Sequence, residues 1–242
     1  MVRVKINGQD IQAREGQTVL EVAREHNIEI PVLCYNEGVK PYGACRLCIV
    51  EVSKRGRKRL VISCMYPVED DLEVLTNSET VVEHRRMIMQ LLLARCPDNE
   101  VIKNMAGKMG VNSTPFKLED KNCILCGLCV RACEEVVGAS AISFVSRGVK
   151  REVASPFLEP SDSCIGCGSC VYVCPINAIK MEDVNGVRIL TFPNPQMQKV
   201  EFSLKKCKKC GAYWAPEKQL AFISRVSGVG QEFFDMCPDC RD

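Results

Sequence analysis

Two stretches decide the fold: residues 123–133, CILCGLCVRAC, and residues 164–174, CIGCGSCVYVC. Both have the spacing C-x2-C-x2-C-x3-C, and each cysteine of the first run recurs 41 residues later in the second. Three closely spaced thiolates can hold three irons of a [4Fe–4S] cluster, and in paired motifs of this kind the fourth ligand comes from the other motif. Inert structural cysteines have no reason to repeat this spacing. The pair therefore predicts a bacterial-type, two-[4Fe–4S] ferredoxin domain over residues 120–192.

The ligand sets of these two motifs are expected to be crossed. One [4Fe–4S] cluster is expected on Cys123, Cys126, Cys129 and Cys174, and the other on Cys164, Cys167, Cys170 and Cys133. Pro175 follows the second run, as the ferredoxin pattern requires, whereas Glu134 stands at that position after the first. This replacement leaves all the ligands in place.

A second constellation lies upstream and has wider spacing. Ten residues separate Cys34 from Cys45-x2-Cys48, and fifteen more precede Cys64. Plant-type [2Fe–2S] sites combine a C-x2-C with a distant fourth cysteine, although their first gap is shorter. Four thiolates at irregular spacing also suit tetrahedral zinc. We expect a [2Fe–2S] cluster on these four cysteines, with zinc as the competing interpretation.

The sequence around this constellation predicts a small mixed sheet of the β-grasp kind over residues 1–76. Alternating apolar residues on both sides of Asn7-Gly8 predict a β-hairpin. Thr18 is expected to cap the start of a short helix, and Asn27 to end that helix by adopting the left-handed backbone conformation. Further strands are expected at 49–52 and 60–62, separated by a basic turn.

Residues 77–119 are expected to form a helical spacer. Apolar periodicity from Ser78 to Arg95 predicts a long helix, and Pro97 lies just beyond its end. Cys96 belongs to none of the cysteine groups, and we expect a buried small residue there rather than a redox sensor. The two histidines, His26 and His84, are not expected to be ligands.

The last module, residues 193–242, follows a strand expected at 187–192 and carries two cysteine pairs. These are Cys207-x2-Cys210-Gly211 and, across a gap of 26 residues, Cys237-Pro238-Asp239-Cys240. Two such knuckles are typical of a zinc ribbon, and a helix is expected between them, with Pro216 at its first position and Gly228 at its exit. We expect structural zinc on the four thiolates, while a mononuclear iron or a further cluster stays open.

Composition and charge narrow the classes of function. The 242 residues include 17 cysteines, and 32 Lys+Arg nearly balance 30 Asp+Glu. Balanced charge disfavours nucleic acid and anionic membranes as partners. The longest uncharged stretch, 163–179, is too polar to span a bilayer, and the N-terminus does not resemble a secretory signal. We therefore expect reduced thiols in the cytoplasm and no insertion into a membrane.

The sequence has neither a dinucleotide-binding glycine motif nor a phosphate-binding loop. Gly228-Val229-Gly230 lacks the third glycine that such a motif needs. We therefore expect no catalytic residue on this chain, and we expect hydride chemistry and substrate turnover on other chains.

Four stretches carry a resemblance to a known family. They are YGACRLCIVEV (42–52), RRMIMQLLLARCP (85–97), CILCGLCVRACEEVVGASAISFVSRG (123–148) and CIGCGSCVYVCPINAI (164–179). They resemble the N-terminal region shared by the large iron–sulfur subunit of respiratory NADH dehydrogenase, the diaphorase small subunit of cytosolic NAD-linked [NiFe] hydrogenases, and iron-only hydrogenases. The resemblance covers about four-fifths of the chain. It implies an electron-carrying subunit that exchanges electrons with a flavin- and NAD(P)-binding subunit.

The sequence departs from the family at one point. In the family, the helix equivalent to residues 85–95 ends in His-Pro followed by three cysteines, which together hold a further [4Fe–4S] cluster. Here Cys96-Pro97 follows the helix, and the next cysteine is Cys123. One thiolate cannot hold such a cluster, so we expect it to be absent.

Together these observations predict an α+β iron–sulfur subunit with one [2Fe–2S] cluster, two [4Fe–4S] clusters and one structural zinc. The function that they favour is electron transfer between a flavin/NAD(P)-binding diaphorase subunit and a [NiFe] hydrogenase subunit, with electron bifurcation as an extension. The same role in a formate dehydrogenase and a free polyferredoxin are alternatives. A more distant one is a zinc-rich regulator that contacts nucleic acid through Lys205, Lys206, Lys208 and Lys209.

Overall fold

The structure is a computed structural model that describes residues 1–118, 121–193 and 199–241. The chain divides into two compact units, Met1–Gly127 and Leu128–Asp242. The boundary expected between the helical spacer and the ferredoxin domain, at residues 119–120, lies outside the described residues. The division of the chain into four domains therefore stays a prediction.

The first unit is built on a five-stranded mixed sheet. Its strands are β1 (Val2–Ile6), β2 (Gln9–Ala13), β3 (Ile49–Lys54), β4 (Arg57–Ile62) and β5 (Leu72–Leu75). They lie in the order β2-β1-β5-β3-β4. Strand β1 runs parallel to β5, whereas the other neighbouring pairs are antiparallel. The predicted mixed sheet of the β-grasp kind is confirmed.

The hairpin between β1 and β2 forms for a local reason. The backbone angle φ is 51° at Asn7 and 85° at Gly8, and a type I′ turn requires positive φ at both central residues. The Asn7 side chain also reaches the end of β5, because its Oδ1 accepts a hydrogen bond from the Thr76 N–H at 2.9 Å. The turn therefore both closes the hairpin and fastens it to the centre of the sheet.

Helix α1 (Val19–Glu25) shares the apolar core of this sheet through its buried side chains. Thr18 is its N-cap: the hydroxyl accepts from the Glu21 N–H at 3.3 Å, and the Glu21 carboxylate accepts from the Thr18 N–H at 2.7 Å. This reciprocal pair is a capping box, which satisfies two N–H groups at the start of the helix. Asn27 has φ 56° at the exit, as predicted.

The strands differ from the sequence expectation in two ways. Strands β3 and β4 both extend into the basic segment, where Lys54 pairs with Arg57 and the turn shrinks to Arg55-Gly56. Strand β5 was not predicted at all. It has only four residues, and it lies at the centre of the sheet between β1 and β3.

Helix α2 (Glu79–Arg95) confirms the predicted spacer helix. Ser78 caps its start by accepting from the Val81 N–H at 3.4 Å, and Cys96 is the C-cap residue. A second helix, α3 (Glu100–Lys108), follows after Asn99, whose side chain accepts from two N–H groups of its first turn. Helix α3 was not predicted from the sequence.

The second unit begins with a short helix, α4 (Leu128–Arg131), which continues as a π-helical turn over Ala132–Val136. Strands β6 (Ser143–Val145) and β7 (Glu152–Ala154) form an antiparallel pair. Helix α5 (Ser169–Tyr172) lies within the second cysteine run. Each run of cysteines therefore includes a short helix between loops.

A four-stranded antiparallel sheet forms the rest of this unit. Its strands, in the order β11-β10-β9-β8, are β8 (Lys180–Val184), β9 (Val187–Thr191), β10 (Lys199–Lys206) and β11 (Tyr213–Pro216). Strand β9 confirms the strand expected at 187–192. Strand β10 pairs with β9 from Lys199↔Thr191 to Ser203↔Val187. The sheet therefore continues across the domain boundary predicted at residue 193.

Helix α6 (Glu217–Ser227) lies between the two last cysteine pairs, as expected. It begins after Pro216, which is the N-cap residue rather than the first helical one, and it ends at Gly228 with φ 75°. Leu220 is buried, whereas Val226 is 70% exposed, so only a narrow apolar face of the helix is buried. The small core of this module consists of Ala215, Leu220 and Phe234, with Trp214 packed against it.

Among the helices in the described ranges, none combines the length and the apolar character that a membrane span needs.

Candidate iron–sulfur and metal sites

The four upstream cysteines come together as two close pairs inside the first unit. Cys34, Cys45, Cys48 and Cys64 are all buried. The Cys45 N–H donates to the Cys34 Sγ at 3.4 Å, and the Sγ atoms of Cys48 and Cys64 lie 3.4 Å apart. Two pairs of thiols match the [2Fe–2S] donor set, in which each iron takes two cysteine sulfurs.

The strands explain how the second pair forms. Cys48 immediately precedes β3, and Cys64 lies in the short turn Ser63–Met65 that follows β4. Because Ile49 pairs with Ile62, the start of β3 lies beside the end of β4. The Ser63 N–H also donates to the Cys48 carbonyl at 3.0 Å. Cys48 and Cys64, which are 16 residues apart in sequence, therefore lie side by side at this end of the strand pair.

The electrostatics of these thiols favour binding of a cation. A hydrogen bond with Cys64 lowers the pKa of Cys48 to about 6, against the opposing effect of burial. The same bond, together with burial, raises the pKa of Cys64. Neighbouring thiolates repel one another, so all four ionise together only when positive charge is bound between them. The donor set therefore fits an iron–sulfur cluster.

In the second unit, one pocket combines cysteines from both repeated runs. It is lined by Cys133 of the first run and by Cys164, Cys167 and Cys170 of the second. Apolar side chains complete its wall, among them Ile142, Ile165, Leu190 and Phe192. Burial and the neighbouring thiolates raise the pKa of Cys170 to about 12. The structure thus brings together the four cysteines of one crossed ligand set.

The last cysteine of each run accepts a backbone hydrogen bond at sulfur. The Ala141 N–H donates to the Cys133 Sγ and the Ala178 N–H donates to the Cys174 Sγ, both at 3.2 Å. The donor lies eight residues after the cysteine in the first run and four residues after it in the second. The longer segment begins with the π-helical turn Ala132–Val136, which includes Cys133. N–H groups directed at cluster sulfurs help to set cluster potentials. Both runs therefore make this hydrogen bond although the spacing to the donor differs.

The cysteines of the other predicted set are divided between the two units: Cys123 and Cys126 lie in the first, and Cys129 and Cys174 in the second. Within the first unit, Arg95 at the end of α2 donates from Nε to the Cys123 carbonyl at 2.6 Å. The end of the spacer helix therefore fixes the backbone at the start of the first run.

Gly166 lies in the second run at a position that excludes a side chain. Its φ is +69°, and a Cβ there would lie 2.7 Å from Cγ of Phe202 on β10. We expect Gly166→Ala to destabilise the unit by about 2–4 kcal/mol, through both backbone strain and the steric clash. Denaturant unfolding and iron content measure the effect.

A matched control separates the two causes. Gly228 has φ +75° with no atom within 4 Å of a built Cβ, so Gly228→Ala reports backbone strain alone. Adding Phe202→Leu to Gly166→Ala is expected to recover part of the loss. Equal losses for the two glycine variants would show that the contact with Phe202 is unimportant.

The four C-terminal cysteines form the most compact group. The Sγ atoms of Cys207, Cys210, Cys237 and Cys240 all lie within 4.8 Å of one another, and those of Cys210 and Cys237 are 3.7 Å apart. Tetrahedral coordination with Zn–S bonds of about 2.3 Å places sulfurs about 3.8 Å apart. A [4Fe–4S] cluster binds each thiolate at a different iron and separates the sulfurs more widely. The spacing therefore fits a single ion.

Backbone donors stabilise a thiolate in this group. The N–H groups of Cys210 and Cys237 lower the pKa of Cys207 to about 6, and the Cys237 N–H lies 3.3 Å from the Cys207 Sγ. Hydrogen bonds with the other thiols of the group raise the pKa of Cys240 to about 12. Without a cation, the four sulfurs cannot all be ionised at neutral pH.

Cys96 and the two histidines belong to none of the predicted ligand sets. Cys96 is completely buried at the end of α2, which fits the predicted small buried residue, since reactive cysteines are accessible. The Nδ1 atoms of His26 and His84 lie 2.9 and 2.7 Å from the carbonyls of Val22 and Thr80, one helical turn earlier.

The comparisons with known families identify the class of these domains. Residues 1–79 match the family described as a 2Fe-2S iron-sulfur cluster binding domain. Residues 117–181 and 163–212 match two families that are each described as a 4Fe-4S dicluster domain. The chain therefore contains a [2Fe–2S] domain followed by [4Fe–4S] dicluster domains.

Particular relatives are subunits of NADH- and NADPH-linked enzymes. The chain is 29% identical over 204 residues to the NADH-ubiquinone oxidoreductase 75 kDa subunit of Reclinomonas americana, covering 74% of this chain and 29% of that protein. It is 32% identical over 206 residues to an NADH-quinone oxidoreductase subunit of Rhizobium meliloti, covering 74% and 24%. NADPH-Fe(3+) oxidoreductase subunit alpha of Geobacter sulfurreducens is 32% identical over 173 residues, covering 61% and 20%.

A solved structure extends the resemblance. A chain in the crystal structure of an NAD+-reducing [NiFe]-hydrogenase in the H2-reduced state matches with a TM-score of 0.57 and 28% identity, covering 64% of this chain and 75% of that one. The curated relatives are much longer, and this chain spans between 20% and 30% of their length. The resemblance to respiratory NADH dehydrogenase and NAD-linked hydrogenase subunits is confirmed.

Proposed function

We propose that this protein is the iron–sulfur subunit of an NAD(P)-linked [NiFe] hydrogenase. It relays single electrons between a flavin/NAD(P)-binding diaphorase subunit and the hydrogenase subunit, in the cytoplasm. The observation that supports this proposal most directly is the similarity to the hydrogenase chain, because 75% of that chain is covered.

We further propose how the cysteines divide among the cofactors. The upstream four would hold the [2Fe–2S] cluster: Cys34, Cys45, Cys48 and Cys64. The repeated runs would hold two [4Fe–4S] clusters in crossed sets, Cys123, Cys126, Cys129 and Cys174 for one and Cys164, Cys167, Cys170 and Cys133 for the other. The last four, Cys207, Cys210, Cys237 and Cys240, would hold structural zinc, which the compact sulfur spacing supports.

When bound, the clusters supply one-electron redox centres, and the chain supplies everything around them. Its thiolates fix the positions of the irons. The Ala141 and Ala178 N–H groups donate to ligand sulfurs and stabilise their negative charge. The apolar wall formed by residues such as Leu190 and Phe192 lowers the polarity of the Cys133 pocket. No substrate site is proposed on this chain.

Metal analysis tests the proposed cofactors. We expect anaerobically purified protein to contain about ten irons and about one zinc per chain, from one [2Fe–2S] cluster, two [4Fe–4S] clusters and one four-thiolate site. Elemental analysis and low-temperature EPR after reduction measure this content. About fourteen irons without zinc would show a third [4Fe–4S] cluster, and colourless protein with zinc alone would exclude electron transfer.

Native purification tests the proposed partners. A chain tagged in its own cells should copurify with a flavin-containing subunit and a nickel-containing subunit, and the complex should reduce NAD(P) with hydrogen. Copurification with a molybdenum- or tungsten-containing formate dehydrogenase subunit would reassign the catalytic partner. Recovery of the chain alone would indicate a free polyferredoxin.

A further inference from the structure

Arg85 is a buried arginine that contacts the cysteine loop of the first unit. It lies on α2 and is 5% exposed. Its Nε donates to the Leu47 carbonyl at 3.0 Å, and its Nη2 donates to the Ile49 carbonyl at 2.7 Å. These two carbonyls belong to the residues on either side of Cys48. The guanidinium therefore holds the backbone on both sides of a proposed [2Fe–2S] ligand.

The positive charge of Arg85 has no carboxylate partner among the ion pairs of the described residues. Its third hydrogen bond, from Nη1, goes to the neutral Oδ1 of Asn77 at 3.1 Å. The nearby carboxylate of Glu51 is instead paired with Lys58 at 2.9 Å and bonded to Ser78. A buried cation is costly unless an opposite charge lies close by. Burial lowers the pKa of Arg85, and the negative charge of the Cys48 thiolate opposes that effect. The compensating charge therefore comes from the cysteine site itself.

The proposed cofactor carries the missing negative charge. Four thiolates and the bridging sulfides outweigh the charge of two irons, so an assembled [2Fe–2S] site is anionic. Reduction adds one electron and no compensating proton, which increases the negative charge. A fixed cation nearby therefore stabilises the reduced form more than the oxidised form and raises the reduction potential.

We propose that Arg85 is the buried counter-ion of the [2Fe–2S] site and that its charge raises the potential of that site. The inference rests on the proposed assignment of the [2Fe–2S] cluster to the four upstream cysteines. Arg85 is a positioning residue in this scheme: it makes no bond to the irons, and it acts through its charge and through the two carbonyls beside Cys48.

The test is an EPR-monitored redox titration of the [2Fe–2S] signal in the full chain. In the titration, the S–S bond of dithionite breaks to give two sulfur dioxide radical anions, one of which supplies one electron and is oxidised to sulfite; that electron reduces one ferric ion of the pair, and no bond of the cluster is broken. We expect Arg85→Gln to lower the equilibrium constant for this reduction by about tenfold, which is about 59 mV for a one-electron couple. Arg85→Lys keeps the charge, so its potential should stay close to that of the wild type.

Arg86→Gln is the matched control. Arg86 is the next residue on α2, but it is exposed and bonds the Met109 carbonyl at 3.2 Å. Loss of an exposed, solvent-screened charge should leave the potential unchanged. If Arg85→Gln shows the wild-type potential with full iron content, the proposal is overturned. Equal shifts for Arg85→Gln and Arg85→Lys would also overturn it, since they would indicate a structural effect without a charge effect.

If the Arg85 variants do not bind the [2Fe–2S] cluster, another variant tests whether the charge of Arg85 affects the potential. Asn77→Asp replaces the amide by a carboxylate of nearly the same shape at the hydrogen-bond acceptor of Arg85, and so compensates the guanidinium without removing it. We expect the equilibrium constant for reduction to fall by about threefold. This is less than for Arg85→Gln, because Asn77 is exposed to solvent. Gln12→Glu, the same change from amide to carboxylate at an exposed position of the edge strand β2, is its control, and equal potentials for both would contradict the proposal. Absence of a [2Fe–2S] signal in the wild type would instead contradict the proposed function.

Discussion

Combining Cys133→Ala with Cys164→Ala is expected to remove about four irons per chain, no more than either substitution removes alone. In the crossed assignment, both residues serve the same [4Fe–4S] cluster, and the pocket that they line with Cys167 and Cys170 supports this grouping. Once one ligand has been lost, losing a second from the same set changes little. Iron content, normalised to protein, measures the outcome.

The informative control combines the same Cys133→Ala with Cys123→Ala. In the crossed assignment these two residues serve different clusters, so the double variant should lose about eight irons. Uncrossed sets would reverse the results, because Cys133 would then share a cluster with Cys123 and not with Cys164. The zinc content and the [2Fe–2S] EPR signal should stay unchanged in every variant, which shows that the chain still folds.

Replacing Cys237 by alanine should remove zinc and unfold the C-terminal module. The core of that module consists of three buried residues and a partly exposed tryptophan, which is too little apolar surface to stabilise it alone. Zinc binding to comparable four-ligand sites contributes about 10–16 kcal/mol, and that free energy is coupled to folding. We expect amide exchange in α6 to accelerate by at least about a hundredfold. Zinc analysis and hydrogen–deuterium exchange measure the two effects.

Cys96→Ala is the control for that substitution. Cys96 is as buried as Cys237 but lies outside the four-cysteine groups, so its loss should leave both iron and zinc unchanged. A Cys237→Ala variant that loses about four irons and no zinc would contradict the zinc assignment. A variant that loses zinc while α6 keeps its exchange protection would contradict the structural role.

The parts of the fold that the sequence predicts correctly are those with local signals. The β1–β2 hairpin depends on Asn7-Gly8, α1 on the Thr18 cap, and α2 on its apolar periodicity. The alternation of buried and exposed residues in β5 is a local strand signal, but four residues are at the lower limit of length for such a signal. Its pairing with β1 and β3, which lie elsewhere in the sequence, establishes it as a strand.

The same distinction holds for the sites. The cysteine groups follow from spacing alone, because a metal site needs several thiolates within reach of one centre. Arg85 could not be found in this way, since its contacts are made to backbone carbonyls 36 and 38 residues away. The π-helical turn that includes Cys133 could not be predicted either: Glu134 indicated a departure from the ferredoxin pattern but not the local geometry. Family resemblance identified the helix that carries Arg85 without indicating what the arginine contacts.

The pairing of β9 with β10 covers a strand edge that would otherwise be open. Strand β9 has a neighbour on each side, β8 and β10. Without β10, β9 would expose a row of unpaired N–H and C=O groups, and Gly166 would lose the cover of Phe202. Such an open edge is a template for pairing with other chains. We therefore expect a chain shortened before β10 to aggregate more readily than the full chain, whichever metal the last four cysteines hold.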